Sequence, residues 1–514
     1  MVLAGLAGGC VAVDPVGQAA GPIPGGELRV ALADLPATVD PQLAPGPHLL
    51  HRLLFETLLT WGPLAPAGTV ASGLALRPHL AAGWMVSPDG RTVDLLLRQA
   101  VSFHDGAPLD AAAVRANLER VLALPEGTPA RELLADVTAV EATGAHRLRL
   151  HLRRANPAIW NALASPLLGM MSPGSWERES WVGTGPYVFG AWEENAVTLY
   201  RNEAYAWPPA FYGNDGRAYP QAVTLAVGGD APAHLWLDGA PEGEGLEFFP
   251  VAGRGLLYLA FNLRQGVAAE AAVRRAVAYA VDRAALAAAA EAVEPGWVPA
   301  VSPLAPGIWG FDPVVAGAFT PRQSPAAARE ILALDGWQHE GEEDGCLVRD
   351  GVVLELEVLI QDRPGAVAMA AVLAEQLAAV GMRLRLRVLG PRDALVQASF
   401  GRFELLLAGY RWAPDPDVLH YYFHSSRVGT TNRGGYRSSE ADRLLDAGRT
   451  EMDLELRSLV YSRIQRLLLS DLPWIPLLAE ARTVGWDPEG LRGVLLGPAG
   501  EIWLHDAWLP GDRH

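Results

Sequence analysis

The hydrophobic period of the chain changes partway through residues 255–286, GLLYLAFNLRQGVAAEAAVRRAVAYAVDRAAL. Residues 256–261 form a short apolar run of strand length that ends at Asn262. From Ala271 the period becomes helical: Val273, Ala276, Val277, Ala280 and Val281 share a stripe, and Arg274, Arg275 and Asp282 face away from it. A buried strand feeding a core-packed helix is expected. Similar signals recur along the chain. Val93, Leu95 and Leu97 alternate as a half-buried strand, as do Leu148, Leu150 and Leu152. Asp110 is a good cap for a helix carrying Val114, Leu118 and Val121. Apolar spacing over 49–60 predicts a further helix. Residues 352–360 read as a strand, 366–380 as an amphipathic helix stopped by Gly381, and 382–389 as a strand. That order predicts parallel strands in an α/β layer. A strand over 403–408 and a helix over 454–469 follow.

Composition narrows the class. At 514 residues the chain exceeds one core, and length alone suggests about two to four domains. Half of its residues are hydrophobic, which a disordered chain would not have. A net charge of −17 with no basic block argues against nucleic acid. The chain has no lysine, so Schiff-base or P-loop chemistry is excluded. There are two cysteines, Cys10 and Cys346. Small apolar residues lead to Cys10 and a Gly/Pro/Ala-rich tract follows it, as at the end of a bacterial lipoprotein signal, in which Cys10 would carry the lipid. The alternative is an irregular tail with a chance cysteine. Cys346 falls in an expected hairpin turn with no metal or redox motif around it.

Several phrases occur in a telling order: Thr38-Val39-Asp40-Pro41; Ser87-Pro88-Asp89-Gly90; Phe103-His104-Asp105-Gly106; Gly183-Thr184-Gly185-Pro186-Tyr187; the 255–286 stretch; Asp415-Pro416-Asp417; Asn432 to Tyr436; and Asp471-Leu472-Pro473-Trp474-Ile475-Pro476. This series resembles the extracytoplasmic solute-binding proteins of family 5, the dipeptide, oligopeptide and nickel type serving ABC importers, over about residues 26–510. The resemblance implies an α/β fold of the two-lobed periplasmic-binding-protein type II, in its large three-subdomain form. Residues 1–25 would be signal remnant and linker. Residues 26–50, 172–262 and 472–514 would form lobe I, 51–171 an extra subdomain of it, and 263–471 lobe II. It further implies a monomer outside the cytoplasm that captures a peptide or peptide-like solute and delivers it to a membrane permease, with no cofactor and no catalysis. In this family the aromatic turn, D-P-D and N-x-x-x-Y loops line the ligand site, so Tyr410, Arg411, Trp412, Asp415, Asp417, Asn432 and Tyr436 become candidate ligand-binding residues. The carboxylate that usually meets a peptide amine would fall near Trp412 and is missing; Asp415 could substitute if the loop is reshaped. The chain also departs from the family over 228–250, which is short and rich in Gly and Pro.

Catalytic constellations are absent from the sequence: it has no G-x-S-x-G, H-E-x-x-H or C-x-x-C. A turn explains His104-Asp105 without acid/base work. His420 and His424 have ligand spacing on a helix, but no third ligand is legible beside them, and no metal is expected. Arg411, Arg433 and Arg437 offer pairing with an acidic ligand. A receptor for a peptide is the leading reading. The alternatives are a receptor for a metal chelate, an oligosaccharide or a secondary metabolite, or an enzyme built on the same fold.

Overall fold

The computed structural model describes residues 21–63, 74–178, 180–228, 233–237, 245–294, 296–339, 345–410, 415–497 and 500–510. The chain forms two compact units, one of residues 1–251 with 450–453 and 482–514, the other of 252–449 with 454–481. It passes from the first to the second within the strand Glu247–Phe261 and returns within the strand Trp474–Trp486. No helix among the described residues is long and apolar enough to cross a membrane.

In the first unit, the strand Glu27–Leu32 pairs in parallel with Ala222–Val227 and with Leu235–Trp236. The hairpin Tyr187–Trp192 and Ala196–Arg201 extends this sheet on the Ala222–Val227 side. A separate antiparallel sheet is built from Ala81–Val86, Thr92–Leu97, Val137–Gly144 and Arg147–Leu152, and it contains the alternating strands expected from the sequence. Asp110 caps the helix Ala111–Leu122 through a hydrogen bond from Ala113 N at 2.8 Å, and that helix buries Val114, Leu118 and Val121.

The helix expected over 49–60 ends at Leu54, and 59–63 is a strand. Tertiary bonds override the local period here. The carboxylate of buried Glu56 accepts from Tyr205 Oη at 2.6 Å and Trp207 Nε1 at 2.8 Å, and lies 2.9 Å from His79 Nε2. Leu54 O, released from the helix, accepts from Gly185 N at 3.0 Å. The Gly-Thr-Gly-Pro-Tyr phrase is therefore a packing element. His104 stitches to it as well, accepting from Gly183 N at 3.1 Å and lying 3.1 Å from Gly185 O through its other nitrogen.

In the second unit, Glu355–Gln361 and Arg383–Leu389 are parallel, as the strand, helix, strand order predicts, and the helix Pro364–Ala378 connects them. Leu405–Tyr410 runs parallel to the first of these and antiparallel to 256–261. The apolar run 256–261 is buried on both faces. Leu259 and Phe261 enter one core with helices Ala271–Ala280 and Pro364–Ala378, whereas Leu256, Tyr258 and Ala260 enter another with Val418–Phe423, Ser439–Gly448 and Leu454–Asp471. The helix starting at Ala271 is shorter than its stripe. It stops at Ala280, and Asp282 caps a second helix, Arg283–Glu291, accepting from Ala284 N and Ala285 N at 2.9 and 3.1 Å.

A Cβ on Gly183 would lie 1.9 Å from Leu54 O, while one on Gly174 meets nothing within 4 Å. Gly183→Ala should lower unfolding free energy by about 3 kcal/mol in urea titration. Gly174→Ala, the control, should leave the midpoint nearly unchanged.

Candidate functional site

The loops following the strand Leu405–Tyr410 contain the nominated residues. Arg411 and Trp412 lie outside the described residues, as does Cys10. Tyr410 ends the strand with its ring buried, and its hydroxyl donates to Pro303 O and accepts from Ala305 N, both at 3.1 Å. Burial pushes that phenol far above its ordinary range. Both capacities of the hydroxyl are thus spent on the 303–305 turn.

Asp415 is buried and makes a two-pronged ion pair with Arg457 on the helix Leu454–Asp471, at 2.6 Å to Nη2 and 2.9 Å to Nη1. The guanidinium is 1% exposed, and its Nε donates to Gly448 O at 2.8 Å. Burial opposes the charge on Arg457, but the Asp415 carboxylate outweighs it and raises the pKa. Asp415 also closes its own turn, accepting from Asp417 N at 2.9 Å. Asp417 pairs in turn with Arg449 Nε at 3.1 Å. Both acids of the Asp-Pro-Asp phrase are held by arginines from later in the chain.

The helix Val418–Phe423 begins directly after Asp417. Its aromatic residues join those of the sheet. Tyr258 and Trp474 stack with centroids 3.4 Å apart, and Tyr422 lies 5.0 Å from Trp474 and 6.0 Å from Tyr410. Tyr421 meets Tyr422 edge-on at 4.9 Å and is 49% exposed, so the cluster has a wet end.

Asn432 is buried and works as a backbone clasp. Its amide donates to Tyr436 O at 2.8 Å and His424 O at 3.2 Å, and its carbonyl accepts from Gly435 N and Tyr436 N at 3.1 Å. Tyr436 is buried and donates to Asp471 Oδ2 at 2.5 Å; burial first, and then that carboxylate, push its phenol upward. The clasp presents Arg433 differently. Arg433 is half-buried, its Nε is buried without a hydrogen-bond acceptor, and among the described residues no carboxylate lies within ion-pair distance of it. Its charge reaches the hydroxyls of Tyr258 and Tyr422, which burial raises and Arg433 draws back down.

The structure places Tyr410, Tyr436 and Trp474 in one core and bonds Asn432 to the backbone of Tyr436, whereas Asp415 is held by Arg457 and Asp417 by Arg449. Sequence reasoning missed Arg457, Arg449 and Asp471, the partners that fix these residues. Asp415 and Arg457 are 42 positions apart, and nothing in the local pattern of a helix marks which arginine turns inward.

Comparison with known proteins gives a consistent result. Residues 75–237 and 238–432 match the family model described as bacterial extracellular solute-binding proteins, family 5 Middle. The chain is 26% identical over 477 residues to the glutathione-binding protein GsiB of Salmonella paratyphi A, covering 85% of this chain and 86% of that protein. In structure it is similar to HbpA2 from Haemophilus parasuis, with a TM-score of 0.76 and 18% identity over 94% of this chain and all of that one. It is also similar to the periplasmic murein tripeptide binding protein MppA in its unliganded open form, with a TM-score of 0.77 and 19% identity over 94% of this chain and 97% of that one. These likenesses confirm the expected fold, and the family match spans well over half of the sequence: the chain belongs to the bacterial extracellular solute-binding proteins of family 5.

Proposed function

We propose that this protein is the receptor of an ABC importer for a short peptide or peptide-like solute bearing a free carboxylate, with Arg433 as the cation that meets it. The observation that carries this reading is half-buried Arg433, whose Nε is buried without an acceptor, which has no carboxylate within ion-pair distance among the described residues, and whose charge reaches Tyr422. A guanidinium in such a place loses hydration without gaining an anion, and a ligand carboxylate restores the balance through paired charge-assisted hydrogen bonds. GsiB is named for glutathione and MppA for a murein tripeptide, and both ligands carry carboxylates. Exposed Tyr421 and half-buried Tyr422 supply an aromatic face for the apolar part of the solute.

In this reading Tyr410, Asp415, Asp417, Asn432 and Tyr436 shape the loops, while Arg411 and Trp412 complete the ligand contacts. Asp415 is already neutralised by Arg457, so the solute's amine is met elsewhere. The protein binds and releases its solute unchanged. It works as a monomer outside the cytoplasm, and a lipid on Cys10 keeps it close to the permease.

Calorimetric titration tests the carboxylate. Glutathione and unmodified tripeptides should bind, and Arg433→Ala should weaken binding by about 10- to 100-fold, the worth of one charge-assisted hydrogen bond to a buried ion. Amidating the peptide's C-terminus should weaken wild-type binding by a similar factor and have little further effect in the variant. A wild-type protein that takes no peptide would sink the proposal, and undiminished binding by Arg433→Ala would remove Arg433 from it. Arg457→Met should behave in the opposite manner. By stranding the buried Asp415 carboxylate it should cost about 3–5 kcal/mol of stability in denaturant unfolding, with a smaller effect on the affinity of the fraction still folded.

A further inference from the structure

We propose that His420, His424 and Asp446 form a binding site for one divalent cation of the zinc class, joining the helix Val418–Phe423 to the helix Ser439–Gly448. The two histidines lie four residues apart at the end of the first helix, with their rings stacked at a centroid distance of 4.3 Å and an interplanar angle of 18°. Asp446 comes from the last turns of the second helix. Its Oδ1 lies 3.6 Å from His420 Nε2 and 3.4 Å from His424 Nε2, and one ligand atom from each residue falls within 4.8 Å of the others.

These separations are the core of the argument. At 3.6 Å a nitrogen and an oxygen make no hydrogen bond. A tetrahedral ion with bonds of about 2.0–2.1 Å, however, places its ligand atoms about 3.4 Å apart along each edge. Both measured distances sit near that edge length, and the third edge, between the two histidines, is within 4.8 Å, so an ion would draw the two rings together at their Nε2 ends.

A second, independent observation concerns His424. Its Nδ1 accepts from the backbone N of Ser426 at 3.1 Å, with Ser426 Oγ 2.7 Å away. Its Nε2 is buried and makes no hydrogen bond, though it faces Asp446 and, at 3.9 Å, Asp442. Of the histidine nitrogens in that position among the described residues, this one has both a second histidine and a carboxylate within reach. Arg449 Nη1 lies 3.4 Å from His420 Nε2, and the ion would displace that corner of the guanidinium while its Nε stays on Asp417. Water supplies the fourth position, since Asp442 is held by Ser425 through both N–H and hydroxyl. A bound ion would pin the segment bearing Tyr421 and Tyr422 to its neighbour.

The test uses the full chain stripped with a chelator. Zn2+ titrated by calorimetry should bind at a stoichiometry of one and raise Tm, and Co2+ should give the intense visible absorption of a tetrahedral site. His424→Gln and Asp446→Asn, both made away from the deep core, should each weaken Zn2+ binding by about 100-fold or more and abolish the Tm rise, while the unfolding midpoint without metal stays near wild type. Absence of stoichiometric binding, octahedral Co2+ spectra, or binding indifferent to both substitutions would overturn the proposal.

Discussion

Two opposite charges, Asp415 and Arg457, are buried together, and the placement of the candidate site depends on that pair. Taking either ion out of water alone costs several kcal/mol, and the cost is offset only when the partner supplies short, paired bonds. Arg457 spends its remaining nitrogen on Gly448 O, so one guanidinium ties the start of the Asp-Pro-Asp loop to the ends of two helices. A hydrophobic pair could fill the same volume, but it would not fix the loop's orientation, because apolar contact has no direction. From that anchor the chain enters the helix Val418–Phe423 at a set angle, and the positions of Tyr421, Tyr422 and both histidines follow.

Around the anchor, polar side chains fall into two groups. Tyr410, Asn432 and Tyr436 have their hydrogen-bonding capacity met by protein groups, and their neighbours leave them no freedom to turn. Arg433 and His424 do not: each has a buried nitrogen with no hydrogen-bond partner. Arg427 Nε in the same loops shares that condition, and what sets Arg433 and His424 apart is their neighbours: the aromatic cluster for one and a second histidine with Asp446 for the other. That distinction, more than residue type, separates the groups holding these loops from those able to reach beyond the protein.

The same loops couple the two proposals. The aromatic cluster that would receive the solute and the His-His-Asp cluster share one six-residue helix. Because that helix is too short to be stable on its own propensity, its geometry comes entirely from what it packs against. Trp474 packs against its Phe423, and Asp442 and Asp446 lie near His424 at its end.

Much of the fold was legible in the residues. A continuous apolar run at 256–261 can only be buried on both faces, and an apolar stripe at helical spacing can only pack on one side; both are local consequences of backbone period. Strand-helix-strand order gave the parallel pairing of 355–361 with 383–389. The ordered motifs gave the family. Local period could not say where helices end, because Leu54 and Asp282 stop theirs through tertiary bonds and a cap that compete with the period. Nor could it tell that His420 and His424 have a third companion, since Asp446 reaches them only when a second helix folds back. The sequence determined which segments are strands and helices and which faces they bury, because those depend on neighbours a few residues away. Which charges meet, and which buried nitrogens are left without a partner, was decided only by the tertiary structure, because those contacts join residues that the chain itself keeps far apart.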